Sequence, residues 1–406
     1  MSRIFYAIAL IWVLSSAALA HDFSALARVL PDQSKITDQG RAGVRVELAL
    51  TQGVPYRIFT LQDPYRMVLD FQEVDWTGLD HETFLQSRRI SDVQYGAYVP
   101  GWSRMVLELG APLAVDTADL RVDPADGSAR LALNLKGTDF TAFAAGAGAP
   151  RQPGWDLPEP AVAPAKPGHS IARTLRVMLD PGHGGIDPGA EVGGTDEKTL
   201  MLTFARELRE VLLRSGHYEV VMTRVDDHFV SLERRIALAN RAGADIFVSL
   251  HADILSDGRA HGAAVYTLSK DASDVASLRL AERHDRGDLI SGIDLSGSDD
   301  QIADVLLDMA RRETRPRTTA LARALADGMA QQGGPMNNKP IRTASFSVLK
   351  AADIPSVLIE LGFLSSPRDF ENIQDPEWRA KMAVGIFNGL EQWRQDDLVM
   401  RSLIGQ

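Results

Sequence analysis

Between Val44 and about Leu135 the apolar positions alternate: Val44, Val46, Leu48 and Leu50, then Met67, Leu69 and Phe71, and later Met105 with Leu107. A period of two belongs to strands with one buried face and predicts an all-β region. The stretch YRMVLDF (residues 65–71) recurs as SRMVLEL (residues 103–109), so two similar β halves are expected to pack as a small sandwich over residues 21–140. No cluster of His, Glu or Asp gives this region chemistry of its own, which leaves a binding surface or a spacer. Residues 141–173 are rich in Ala, Pro and Gly and show no period, as expected for a semi-extended linker.

From Leu175 the pattern changes to strands alternating with long helices, the signature of an α/β domain with a mainly parallel sheet, here over residues 174–396. TLRVMLD, YEVVMTR and ADIFVSLH read as strands, and IPSVLIELGF closes the sheet. Helices are expected at 197–213, where Leu200, Phe204, Leu208 and Val211 share one stripe, and at 232–242 and 377–393. A long polar insertion interrupts the domain at 269–317.

With 406 residues, 45% of them hydrophobic and 24% charged, the chain is long enough for two or three cores. Its formal charge of -11 argues against nucleic acid as a partner, since such binding depends on pairing cations with phosphates. Residues 1–20 carry one arginine, an apolar run from Ile4 to Leu14, and small residues ending Ala18-Leu19-Ala20, which reads as a signal peptide. The run is shorter than the about 20 residues of a spanning helix, so the expected product is an exported protein with no membrane anchor. The chain has no cysteine, so no disulfide or thiolate site exists and any metal must be held by nitrogen and oxygen.

Ligands of open α/β sheets bind at the carboxyl ends of the strands. His183 follows one strand directly, in the glycine-rich stretch LDPGHGGIDPGA that also holds Asp187; His251 ends a second strand and Glu360 a third. Glu197 lies on the apolar stripe of its helix and so faces the sheet, where an unpaired carboxylate costs several kcal/mol. An arginine partner would explain Glu197 alone. A metal explains Glu197 and the two histidines together. Two imidazoles and a carboxylate, with a fourth position open to water, describe a catalytic zinc site. Glu360 suits a general base, the alternative being a salt bridge to Arg342 or Lys350. His217, His228 and His261 read as surface residues.

DPGHGGIDPGA, the DEKTL glutamate, VSLHAD and IPSVLIELGFLSS together resemble the zinc-dependent N-acetylmuramoyl-L-alanine amidases of bacterial cell walls. The resemblance implies a twisted sheet with helices on both faces, Zn2+ held by His183, Glu197 and His251, and Glu360 as the catalytic glutamate. It implies cleavage of the amide between N-acetylmuramic acid and the L-alanine of the stem peptide. The β region, with DPYRMVLDF and ISDVQYGAYVPGWSRMVLEL, looks like the domain that takes periplasmic division amidases to septal peptidoglycan. Two other readings stand beside it: a zinc carboxypeptidase on stem peptides, for which Arg224 or Arg241 would clamp the substrate carboxylate, and a non-catalytic peptidoglycan-binding regulator. In the division amidases an insertion like 269–317 contains a helix that plugs the site until a periplasmic activator protein withdraws it. DVASLRLAERHDRGDLI would be that helix, with either Glu282 or His284 at the open metal position. Ile302, Leu306 and Met309, at spacings of four and three, form an apolar stripe for docking the activator or for packing on the domain itself.

Overall fold

The computed structural model describes residues 27–72, 74–99, 101–149, 174–255, 260–290, 301–351 and 353–404. The expected signal peptide, most of the expected linker and the middle of the insertion lie outside the described residues.

The alternating segments of the N-terminal region form two antiparallel-rich sheets. One has five strands in the order Leu113–Val122, Ala129–Gly137, Gly43–Leu50, Lys35–Gln39 and Leu85–Gln86, and the other has four in the order Tyr56–Leu61, Arg66–Gln72, Trp102–Leu109 and Ile90–Val99. Val44, Val46, Leu48, Met67, Leu69, Met105 and Leu107 close one core between them. The two copies of the sequence repeat are not the two halves of the sandwich. They are neighbouring antiparallel strands of one sheet, with Met67 opposite Leu107 and Asp70 opposite Arg104. The irregular stretch expected from residue 141 begins later, because Phe140–Gly146 is a helix capped by Asp139 that buries Phe143 in the sandwich core. Seven residues, about two turns, are too few to show a helical period.

The second domain is a six-stranded sheet in the order Tyr218–Met222, Leu175–Pro181, Ile246–His251, Ser356–Glu360, Ala263–Leu268 and Met336–Ala344. Every neighbouring pair is parallel except Ser356–Glu360 with Ala263–Leu268. Strand Ser356–Glu360 is therefore interior rather than closing the sheet, and it is buried along its whole length. Such a strand reads as an unbroken apolar run, so its sequence cannot announce its neighbours.

One sheet face carries Val177, Leu179, Val248, Val265, Val357 and Ile359 against helices Glu197–Arg214, Gln301–Gln331 and Pro376–Ile404. The other carries Met178, Phe247, Ala264, Tyr266 and Leu358 beneath helices Leu232–Ala242 and Val275–Ile290. Ser231 caps the start of Leu232–Ala242, and Gly243, at φ 62°, ends it. The insertion expected at 269–317 has no boundary at its far end, since Gln301–Gln331 runs through it as one helix with Pro316 inside. The backbone at Ile302, Leu306 and Met309 is helical, but their side chains lie outside the described residues.

The two longest helices cross where glycines meet. A Cβ on Gly389 would lie 2.5 Å from the Ala324 carbonyl oxygen, and one on Gly328 would lie 2.3 Å from that of Gly385. Helix propensity alone makes Gly→Ala favourable by about 1 kcal/mol. Backbone cannot yield as a flexible side chain can, so Gly389→Ala should instead destabilise the second domain by about 1–3 kcal/mol, read as a lowered midpoint in urea unfolding.

Candidate active site

Strands Leu175–Pro181, Ile246–His251 and Ser356–Glu360 lie side by side, so their carboxyl ends deliver His183, His251 and Glu360 to one edge of the sheet. His251 and Glu360 are paired in register across adjacent parallel strands, which turns both side chains to the same side. His183 stands just past its strand at φ 58°, an uncommon backbone conformation for a residue with a Cβ. Buried arginines hold that bend. Arg235 donates to the carbonyl of His183 at 2.9 Å and to Asp180 at 2.6 Å, while Arg224 donates to the carbonyls of Pro181 at 3.1 Å and Gly182 at 2.9 Å. Arg224 thus spends its guanidinium on backbone rather than on a substrate carboxylate, while Arg241 is exposed.

Glu197 is the first residue of its helix and is completely buried. Its Oε1 lies 3.1 Å from Nδ1 of His251 and accepts from the Ala252 N–H at 2.9 Å; its Oε2 lies 3.3 Å from Nε2 of His183 and accepts from the Ala190 N–H at 3.0 Å. Its partners are therefore imidazoles and backbone rather than arginine. One ligand-type atom from each of His183, Glu197 and His251 falls within 4.8 Å of the others. Asp187 takes the far nitrogen of His183, with Nδ1 to Oδ2 at 2.8 Å, which leaves Nε2 aimed into the cluster.

The charges interlock. Burial works against ionisation of both His183 and Glu197, yet Asp187 and Glu197 hold His183 well above its usual range, and His183 holds Glu197 well below the carboxylate range. Burial, with His284 adding to it, pushes His251 down to about 4, so it is neutral, the form in which imidazole binds metal. Burial pushes Glu360 up to about 7, with Glu197 adding to the effect. Glu360 makes no salt bridge to Arg342, which pairs with Asp274. The Asp253 N–H donates to its Oε2 at 3.0 Å, and its buried Oε1 has no hydrogen-bond partner.

The insertion enters the same space. Helix Val275–Ile290 is pinned by Asp285, which accepts from the N–H and hydroxyl of Ser347 at 3.1 and 2.9 Å, and by Arg283, which donates to the Ile254 carbonyl at 3.1 Å. Of the two candidate plugs, Glu282 points to solvent and His284 is buried in the site. The His284 ring lies 4.1 Å from that of His251 and 5.8 Å from that of His183, and its Nε2 is 3.5 Å from Glu360 Oε1. Nε2 of His183, Nε2 of His284 and Oε1 of Glu360 are all buried without a hydrogen-bond partner, so three orphaned polar atoms face one spot. The cavity left beside them is about 20 Å³, room for a water and not for a sugar or peptide.

The other histidines stay away. His217 pairs with Glu391 at the surface, His228 with Asp226, and His261 is exposed. Arg235 escaped the sequence reading although its signal was there: it shares a helical stripe with Leu232, Ile236 and Ala239, as Glu197 does with Leu200 and Phe204. Asp253 also escaped, because nothing in the sequence distinguishes it from an ordinary loop carboxylate.

Comparison with known proteins identifies the family. Residues 177–392 match the family model described as N-acetylmuramoyl-L-alanine amidase, and residues 34–135 match that of the AMIN domain. N-acetylmuramoyl-L-alanine amidase AmiC of Neisseria meningitidis serogroup B is 31% identical over 376 residues, spanning 88% of this chain and 88% of the relative. AmiC of Escherichia coli O6:H1 is 31% identical over 373 residues, spanning 87% of each. Among solved structures, N-acetylmuramoyl-L-alanine amidase AmiC2 of Nostoc punctiforme aligns with 55% of this chain and 99% of its own at 26% identity and a TM-score of 0.40. The chain belongs to the N-acetylmuramoyl-L-alanine amidase family, as a member with an AMIN domain ahead of its catalytic domain.

Proposed function

We propose that this protein is a zinc-dependent peptidoglycan amidase that hydrolyses the bond between N-acetylmuramic acid and the L-alanine of the stem peptide, and that the structure describes its blocked state. The observation that carries the reading is the convergence of His183, Glu197 and His251 on one buried point, beside which Nε2 of His183, Nε2 of His284 and Oε1 of Glu360 make no hydrogen bond. The donor set of two imidazoles and one carboxylate suits zinc, and calcium or magnesium would ask for more oxygens.

His183, Glu197 and His251 would hold the ion, which when bound supplies Lewis acidity toward the scissile carbonyl and a more acidic water. The chain's own groups do the rest. Asp187 keeps His183 in the tautomer with Nε2 free to bind. Glu360, raised to about 7 and steadied through one oxygen by the Asp253 N–H, keeps its other oxygen free to take a proton from the attacking water and return it to the leaving amine. A substrate cannot reach these groups while His284 stands among them, so helix Val275–Ile290 has to move before hydrolysis.

The setting follows from the family. AMIN and AmiC-type relatives suit an exported periplasmic protein acting on peptidoglycan, with septal wall splitting as its role, and among the described residues no helix is long and apolar enough to cross a membrane. A periplasmic activator protein that engages the stripe of Ile302, Leu306 and Met309 would supply the force that withdraws the plug.

Digestion of purified sacculi with and without zinc, followed by mass spectrometry, should release free stem peptides only with zinc; trimmed stems would instead mean a carboxypeptidase. Glu197→Ala should lose the ion, while Glu360→Ala should keep about one zinc and lose hydrolysis. If Glu360→Ala shed the metal and Glu197→Ala kept it, the two glutamate roles would be swapped. His284→Ala, or deletion of residues 278–290, should raise basal hydrolysis by about tenfold or more, and a folded, zinc-loaded deletion variant no faster than the parent would end the plug reading. Leu306→Lys should leave basal activity unchanged and abolish stimulation by the activator.

A further inference from the structure

Strand Arg66–Gln72 is buried on both faces for six of its seven residues, although a sandwich sheet normally turns one face to water. Met67, Leu69 and Phe71 face the core of their own domain. On the outer face, Val68 and Val106 are 0% and 2% exposed, and the side chains that complete their cluster with Phe59 and Leu61 are Ile186 and Phe229 of the catalytic domain. Ile186 belongs to the loop that presents His183.

The contact is specific rather than a smear of apolar surface. The Ile186 N–H donates to the Ala97 carbonyl at 3.0 Å, so backbone of the metal-site loop is bonded to the last strand of the AMIN sheet. The rings of Tyr98 and Phe229 stack at 5.7 Å with 17° between planes, and the Arg104 guanidinium lies 3.6 Å from the Tyr98 ring centre. Asp70 fixes Arg104 through a bidentate pair at 2.5 and 2.9 Å and also accepts from Arg57 at 2.8 Å. Gly96 admits the close approach: a Cβ there would stand 2.8 Å from the nitrogen and 2.9 Å from the Cα of Ile186. From the other side Asp227 accepts from the Gly185 N–H at 2.7 Å, and Lys198 donates to the Gly185 carbonyl at 2.8 Å.

The loop is therefore gripped from both sides immediately after His183, the residue that sits at φ 58°. Backbone held in a sparsely populated region persists only where its surroundings over-determine it. We infer that the docked AMIN domain is a positioning element of the metal site: through Gly96, Ala97 and Tyr98 it holds the loop that aims His183, so that displacing the domain weakens metal binding. This rests on the reading of His183 as a metal ligand.

Gly96→Val in the full chain tests it. In the undocked domain this valine lies on a solvent-facing strand position, where β-branched residues are well tolerated, so the substitution disturbs neither core. Phe229→Ala is the second variant, and Tyr98→Phe, which keeps the ring stack, is the conservative control. Small-angle scattering reports docking, hydrogen exchange at residues 184–187 of the metal-free chain reports the loop, and competition with a chelator reports zinc affinity. Gly96→Val should expand the particle, speed exchange in the loop and weaken zinc binding about tenfold, with Phe229→Ala shifting exchange and affinity in the same direction and Tyr98→Phe matching the parent. An expanded Gly96→Val chain with parental exchange and zinc affinity overturns the inference and leaves the metal reading intact, as does a Gly96→Val chain that scatters like the parent. A parent chain that binds no zinc while Gly96→Val still speeds loop exchange overturns the ligand reading instead.

Discussion

A carboxylate with no access to water organises this molecule. Glu197 is buried at the first residue of its helix, and a lone charge there would cost several kcal/mol. Its neutralisation comes from groups that two separate parts of the chain must bring: His183 with the Ala190 N–H from the loop after one strand, and His251 with the Ala252 N–H from the end of another. The helix cannot settle on the sheet unless both strand ends are in place. The polar centre and the apolar core around Leu200, Phe204 and Leu208 are consequently one construction. A dication held by these three residues would compensate the charge of Glu197 as the neighbouring imidazoles do without it.

Around this centre the chain places successively less permanent supports. Arg224 and Arg235 hang the His183 loop from inside the catalytic domain through backbone carbonyls, and the AMIN sheet braces the same loop from outside. Helix Val275–Ile290 rests on it from above, with Gly287 beside Asp187 and His284 between His251 and Glu360. The buried arginines satisfy interior backbone carbonyls and are costly to remove. The helix instead leaves Nε2 of His284 and Oε1 of Glu360 without a hydrogen bond, 3.5 Å from each other, so this contact is less well satisfied than the arginine contacts.

Much of the site was legible because chemistry-bearing residues broke the patterns around them. A histidine in a run of glycines, a histidine and a glutamate ending apolar strands, and a glutamate on an apolar stripe each violate what packing alone would choose, and those four residues meet in space. The same logic reaches Arg235, whose stripe is equally apolar. Gly96 went unread in the sequence, because a strand glycine does not say which backbone approaches it. Which of Glu282 and His284 turns inward was not legible, since helical phase decides it and the insertion's own pattern is too polar to set that phase.

The local periods were readable from the residues alone, and with them a β region followed by an α/β domain, together with the identity and order of His183, Glu197, His251 and Glu360. Tertiary structure decided which strands are neighbours. It set both copies of the repeat side by side in one sheet, put Ser356–Glu360 inside the other, turned His284 inward, and laid the outer AMIN face on the His183 loop. The physical reason is that periodicity records whether a residue is buried, while the partner that buries it is selected by shape and charge across distances the chain does not encode locally. Val68 and Val106 look alike whether a solvent-facing patch, a second sheet or another domain lies above them.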